Sequence, residues 1–134
     1  MWIAQICFQI PNPLEDQYIP VGKIWHDPKD DTAFIRLATL PLGTTKLFAK
    51  AFDEVKDPPC IIGDIIIRGN NLPNSTERRV FQLGHIFTTN GDSAEHTAIY
   101  QISLWANPMP LLYSRQTKED TKRGAGIILS IVQD

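Results

Sequence analysis

Lys23 and Trp25 in VGKIWH, and Phe34 and Arg36 in TAFIRL, combine positive charge with flat aromatic surface on two neighbouring stretches. Lys46, Phe48 and Lys50 in KLFAKAF repeat the interleaving. Small β-barrels hold single-stranded nucleic acid with this chemistry: cations track the phosphates, and rings stack on bases at about 1–3 kcal/mol each. These residues form the candidate nucleic-acid-binding set. Trp25 and Phe34 would be the stacking platforms, and Lys23, Arg36, Lys46 and Lys50 the phosphate contacts. Arg78-Arg79 and Lys122-Arg123 would extend a basic path. The same residues also suit another arrangement, in which Trp25, Phe34, Phe48 and Phe52 form a second apolar layer and the cations snorkel from its edge.

Catalytic patterns are missing from the sequence. It contains no GxSxG, no HExxH, no Walker A motif and no cysteine pair at zinc spacing. Gly22, Gly63, Gly124 and Gly126 lack the run needed to cradle a phosphate. His26, His85 and His96, with Asp92 and Glu95 nearby, read as turn residues rather than metal ligands. The DPKDD turn (27–31) lacks the glycine and terminal glutamate of a calcium loop. The expectation is a non-enzymatic chain with no catalytic residue, metal or cofactor.

The elements that must position these side chains are strands. In the first, Trp2, Ala4, Ile6, Phe8 and Ile10 share one face, and Gln5, Cys7 and Gln9 the other, until Pro11 and Pro13 end the ladder. Further strands are expected at 18–26, 33–40, 46–52, 61–68, 79–88, 97–105 and 126–132. Turn formers such as DPKDD, DPP, GNNLPNST, TTNGDSAEH and ANPMP separate them. A helix is a weaker alternative at 44–55, where Lys46, Phe48, Lys50 and Phe52 alternate against Leu47, Ala49 and Ala51. Residues 113–122 have no usable pattern. The fold expected is all-β with room for one short helix, a compact antiparallel barrel or sandwich.

Two stretches align with each other. VGKIW (21–25) and TAFIRL (32–37) match LGHIF (83–87) and TAIYQI (97–102), and Pro41 and Pro108 follow in turn. KLFAK (46–50) then matches LLYSR (111–115), giving repeat-like hairpin units at about 21–57 and 83–122 within a single domain spanning 1–134. Strand parity puts Ile24, Ile35 and Leu37 in the core, with Ile86, Tyr100 and Ile102 as counterparts. The opposite face carries Lys23, Trp25, Phe34 and Arg36 in the first unit and His85, Phe87, Ile99 and Gln101 in the second. Only the first has permanent cations among its rings, so it is the unit expected to bind.

Composition limits the partners. The chain has 134 residues, 43% apolar and 21% charged, with net charge −2, which excludes a strongly basic nucleic-acid coat. Residues 1–31 hold five acids against two bases, and the remainder eleven bases against ten acids. A basic face must therefore be created by folding. The start MWIAQICFQIPNP lacks the basic region of a signal peptide, and no apolar run is long enough to span a membrane, so a cytoplasmic location is expected. Without an export signal, Asn74-Ser75-Thr76 is read as a chance match to a glycosylation acceptor. Cys7 and Cys60 each lie in an apolar stretch and are expected to be buried free thiols.

VGKIW, the polar turn, TAFIRLATLPL and KLFAKAF together resemble a hairpin pattern of small uncharacterised plasmid- and phage-encoded proteins, compact β domains of the OB or single-stranded-DNA-binding type. The resemblance covers about residues 18–57, carries no catalytic residue and implies a mobile-element origin. The rival expectation is a protein-interaction module, an inhibitor or adaptor docking on a larger complex through strand edges and aromatic anchors. In that case Glu15, Asp16, Asp27, Asp30 and Asp31 would mimic nucleic acid. A third is an oligomeric structural subunit, self-associating through unprotected edges.

Overall fold

In a computed structural model, described at residues 1–10, 14, 17–38, 46–68, 80–89, 99–105 and 127–134, the chain forms a closed antiparallel barrel. Its strands are β1 (Trp2–Ile10), β2 (Gln17–Asp27), β3 (Thr32–Leu37), β4 (Lys46–Ala51), β5 (Ile62–Arg68), β6 (Val80–Thr89), β7 (Ile99–Leu104) and β8 (Ile127–Gln133). Each lies within a few residues of the stretch expected from period-two alternation. Stretch 46–51 is strand, not helix, and the described residues contain no helix. The segment 113–122, the Arg78-Arg79 and Lys122-Arg123 pairs, Glu15, Asp16 and His96 fall outside the described residues.

Around the barrel the order is β1-β2-β3-β8-β5-β6-β7-β4, and β4 returns to β1. Each of these strands therefore has a hydrogen-bonded neighbour on both sides.

Apolar alternation is satisfied inside. Every strand contributes one member to a buried set: Ile6, Ile24, Ile35, Leu47, Ile65, Ile86, Ile102 and Leu129. An eight-stranded barrel has an interior just wide enough for side chains to fill. Burying each of these isobutyl and sec-butyl groups stabilises the fold by about 1.5–3 kcal/mol. Charged and amide side chains point outward, the reverse of a lipid-facing barrel. No helix among the described residues is long and apolar enough to cross a membrane.

Adding four to each strand number, modulo eight, leaves the neighbour list unchanged. Irregularities recur at matching places. The register jumps at Ile6/Cys7 and leaves Val21 as the extra residue of β2, and jumps again at Ile65/Ile66, leaving Leu83 extra in β6. The Val21 carbonyl accepts from Ala38 N at 2.8 Å, and the Leu83 carbonyl from Trp105 N at 2.8 Å. Gly22 and Gly84 follow these bulges. Gly22 pairs with Leu37 but Gly84 with Leu104. The pairing thus sets Leu37 against Leu104 rather than Ile102, two residues from the alignment by sequence.

Residues 52–61 cross one end of the barrel. The buried Tyr100 donates its hydroxyl hydrogen to the Pro59 carbonyl at 2.7 Å, and Thr88 Oγ1 both accepts from Ile61 N (2.7 Å) and donates to Ile61 O (3.0 Å). Burial, with a smaller contribution from nearby Cys60, holds the Tyr100 phenol far above its ordinary pKa. Cys60, in this crossing segment, is exposed, and Cys7 is half-buried, so the two thiols are free as expected but neither is buried.

A Cβ on Gly22 would collide with the Arg36 carbonyl oxygen across the ladder, and one on Gly84 with that of Ser103. The obstacle is backbone, which cannot turn away. Gly22→Ala and Gly84→Ala should each destabilise the barrel by about 1–3 kcal/mol. Thermal unfolding followed by circular dichroism should show comparable falls in Tm, and an unchanged Tm would contradict the strand spacing.

Candidate functional site

The outward side chains of β3, β2, β1 and β4 form one continuous wall. Arg36 pairs with Lys23, Lys23 with Gln5, and Gln5 with Lys50. Successive members of a ladder row lie about 4.8 Å apart, so this row of cations and one amide crosses the wall over about 14 Å. Lys23 and Lys50 are exposed, Arg36 and Gln5 half-buried.

A row of rings flanks it. Phe34 pairs with Trp25, and Trp25 with Trp2. Trp25 and Phe34 are stacked with centroids 5.9 Å apart at 18°, and Trp2 meets both edge-on, at 5.2 and 5.8 Å. All three are half-buried. They form a cluster in which each ring spends part of its surface on its neighbours.

On the other side of the cationic row lies Phe48, paired with Cys7 and Gln101, while Lys46 pairs with Ser103. Tyr18 meets Phe48 edge-on at 5.2 Å. Clefts of about 680 Å³ and about 630 Å³ lie to either side of this pair, the first including Lys46 and Gln101, the second Lys50, Asp53 and Glu54. All seven expected site residues therefore reach one wall, with Arg36, Lys23 and Lys50 between two groups of rings and Lys46 beyond Phe48.

Sequence reasoning did not include Trp2, Gln5 and Tyr18 in this set, and it placed Phe87 and Gln101 on the outward face of the second unit. Trp2 was expected to face inward with Ala4 and Ile6. A register jump between Trp2 and Ala4 buries Ile3 instead and turns Trp2 outward. Gln5 looked merely polar until β1 was placed between β2 and β4. Tyr18 and Phe87 carried a usable signal, as aromatics on solvent-side positions of strands.

The opposite wall supplies an internal comparison. Matching pairings align Arg36, Lys23, Gln5 and Lys50 with Ser103, His85, Asp64 and Val132. The fold accommodates this row without a permanent cation, so the basic row is not a requirement of the barrel. Compared with protein families, curated proteins and solved structures, the chain matches none.

Carboxylates of the DPKDD turn are engaged locally. Asp27 Oδ1 accepts from Lys29 N (2.9 Å), and Asp30 Oδ1 from Thr32 Oγ1 (2.7 Å) and Thr32 N (3.2 Å). Asp31, at φ 58°, contacts the buried His26 ring through Oδ1 to Nε2 at 2.7 Å, and its carbonyl accepts from the Gln133 amide. Among the described residues no three His, Cys, Asp or Glu side chains are grouped to hold a metal.

The Asp31 carboxyl is held below its ordinary pKa, first by the His26 hydrogen bond and then by the nearby Gln133 side chain. Its stabilisation is fully present above the ordinary carboxylate pKa of about 3.9 and disappears as pH falls through the lower folded value. Asparagine tolerates the left-handed backbone. Asp31→Asn should therefore flatten the acid side of a plot of urea midpoint against pH, below about pH 4, leaving the similar contribution of Asp30 in place. An unchanged slope would contradict the His26–Asp31 contact.

Proposed function

We propose that the chain is a non-enzymatic binding module for single-stranded nucleic acid, held on the wall of β3, β2, β1 and β4. The observation that carries this reading is the row Arg36–Lys23–Gln5–Lys50, aligned across four strands and flanked by the Trp2, Trp25 and Phe34 rings. Phosphates lie along the row, and bases turn to the rings on its flank. The wall has convex curvature and rings on its surface, which suit unpaired bases better than a stacked duplex. Lys46 adds a contact beyond Phe48, and the acidic DPKDD turn bounds the wall at the tip of the β2–β3 hairpin. The resemblance of residues 18–57 to plasmid- and phage-encoded β proteins agrees with this reading.

Binding of a labelled single-stranded oligonucleotide, measured by fluorescence anisotropy, should weaken steeply with salt because phosphate contacts release counterions. Charge reversal at Lys23 together with Lys50 should lower affinity at least tenfold and flatten the salt slope by about 1–2. Trp25→Ala should cost about 1–3 kcal/mol at every salt concentration. No binding at low salt, or affinity indifferent to both salt and these substitutions, would overturn the proposal and direct attention to a protein partner.

A further inference from the structure

A small recess opens on the wall where β1, β2 and β3 meet beside the Val21 bulge. Its volume is about 230 Å³, and Trp2, Gln5, Val21, Gly22, Lys23 and Arg36 are among the residues lining it. Lys23 and Arg36 face each other across the β2–β3 ladder, and Gln5 stands next to Lys23 on β1. Among the described residues lining the recess there is no carboxylate, and the Val21 carbonyl already accepts from Ala38 N at 2.8 Å. The two larger clefts differ in charge. One sets Lys50 beside Asp53 and Glu54, and Lys46 is the one cation among the described residues lining the other.

Size and charge together select a ligand for the recess. Pockets for drug-sized molecules run to about 300–1,000 Å³, so this one takes a compact group rather than a whole nucleotide. A guanidinium fork, an ammonium and an amide NH2 are donors suited to a tetrahedral oxyanion. Two positive charges with no acid beside them are balanced by a group carrying two negative charges. A phosphodiester inside a strand carries one. A phosphomonoester at a strand end carries about 1.5–2 at neutral pH, and its single ester link lets it enter a recess end-on. Trp2 both lines the recess and meets the Trp25 and Phe34 rings, so the nucleotide attached to a seated phosphate lies beside the ring cluster.

We infer that this recess seats the terminal phosphate of a single strand, with Arg36 and Lys23 as its cationic partners and Gln5 as a neutral donor. The inference rests on the nucleic-acid reading of the same wall and adds recognition of a strand end to it. Internal phosphates continue along the row to Lys50.

The test compares three thymidine 12-mers by fluorescence anisotropy at fixed salt, each labelled on an internal base. One has hydroxyls at both ends, one a 5′-phosphate and one a 3′-phosphate. At least one phosphorylated strand should bind about tenfold tighter than the hydroxyl strand, because the added charge meets two cations. Lys23→Gln together with Arg36→Gln should abolish that preference. Lys50→Gln, further along the row, should weaken all three strands alike and keep the ratio between them. Circular dichroism reports whether the variants fold; Lys23→Gln alone, at an exposed position, should still cut the preference by about threefold. Equal binding of the three strands with salt dependence intact overturns the end site and leaves the nucleic-acid reading standing, and so does a preference that survives the double variant. Failure of every strand to bind at low salt overturns that reading itself. Inorganic phosphate, at the concentration of the phosphorylated strand, should leave Tm unchanged because it lacks the strand's other contacts. A rise equal to that given by the phosphorylated strand would overturn assignment of the recess to a strand end.

Discussion

Closure of the sheet by its last strand is the constraint on which the other features depend. β8 lies between β3 and β5, pairing Ile127–Ile131 with Ala33–Leu37 on one side and Ser130–Gln133 with Gly63–Ile66 on the other. Without it, β3 and β5 would present open ladders, and Leu129, one of the eight inward residues, would be missing from the core. Pairing residues almost a hundred positions apart in sequence carries a loop-closure entropy cost before any contact rewards it. The ladder hydrogen bonds and the buried aliphatic girdle must offset that cost together.

Closure also dictates curvature, and curvature dictates where side chains point. The bulges at Val21 and Leu83 bend β2 and β6 at corresponding places, each directly before a glycine that lets a neighbouring carbonyl approach. The additional jump at Ile3 has no counterpart in β5. It is this irregularity that brings Trp2 out of the core and onto the Trp25–Phe34 pair. A feature of the ring cluster thus originates in backbone register rather than in residue type.

The sequence therefore made some parts of the molecule legible and left others closed. Alternation located all eight strands, because a half-buried strand must place apolar groups every second residue. It could not give their order, since alternation reports which face is buried and says nothing about the neighbour. β4 beside β1 and β8 between β3 and β5 were outside its reach. The alignment of TAFIRL with TAIYQI followed the recurring Thr-Ala pair, whereas the ladder sets Leu37 against Leu104. An offset of two residues preserves parity, so Tyr100 and Ile102 are buried under either alignment and burial cannot reveal the difference. For the wall, parity placed Lys23, Trp25, Phe34 and Arg36 outside, but only the strand order brought Lys50 into their row.

That row has an energetic character of its own. Lys23 and Arg36 face each other directly across an antiparallel ladder, an arrangement of like charges that weakens a sheet. Two unit charges about 5 Å apart in water repel by about 0.8 kcal/mol. The matching pair on the other wall, His85 and Ser103, avoids this repulsion within the same backbone pattern. The barrel could therefore be built without opposed cations at this position. On the proposed reading, an anion lying between the two cations would offset their mutual repulsion. The physical case for an anionic ligand on this wall thus rests on where the positive charges stand relative to one another, and the net charge of −2 gives no indication of it.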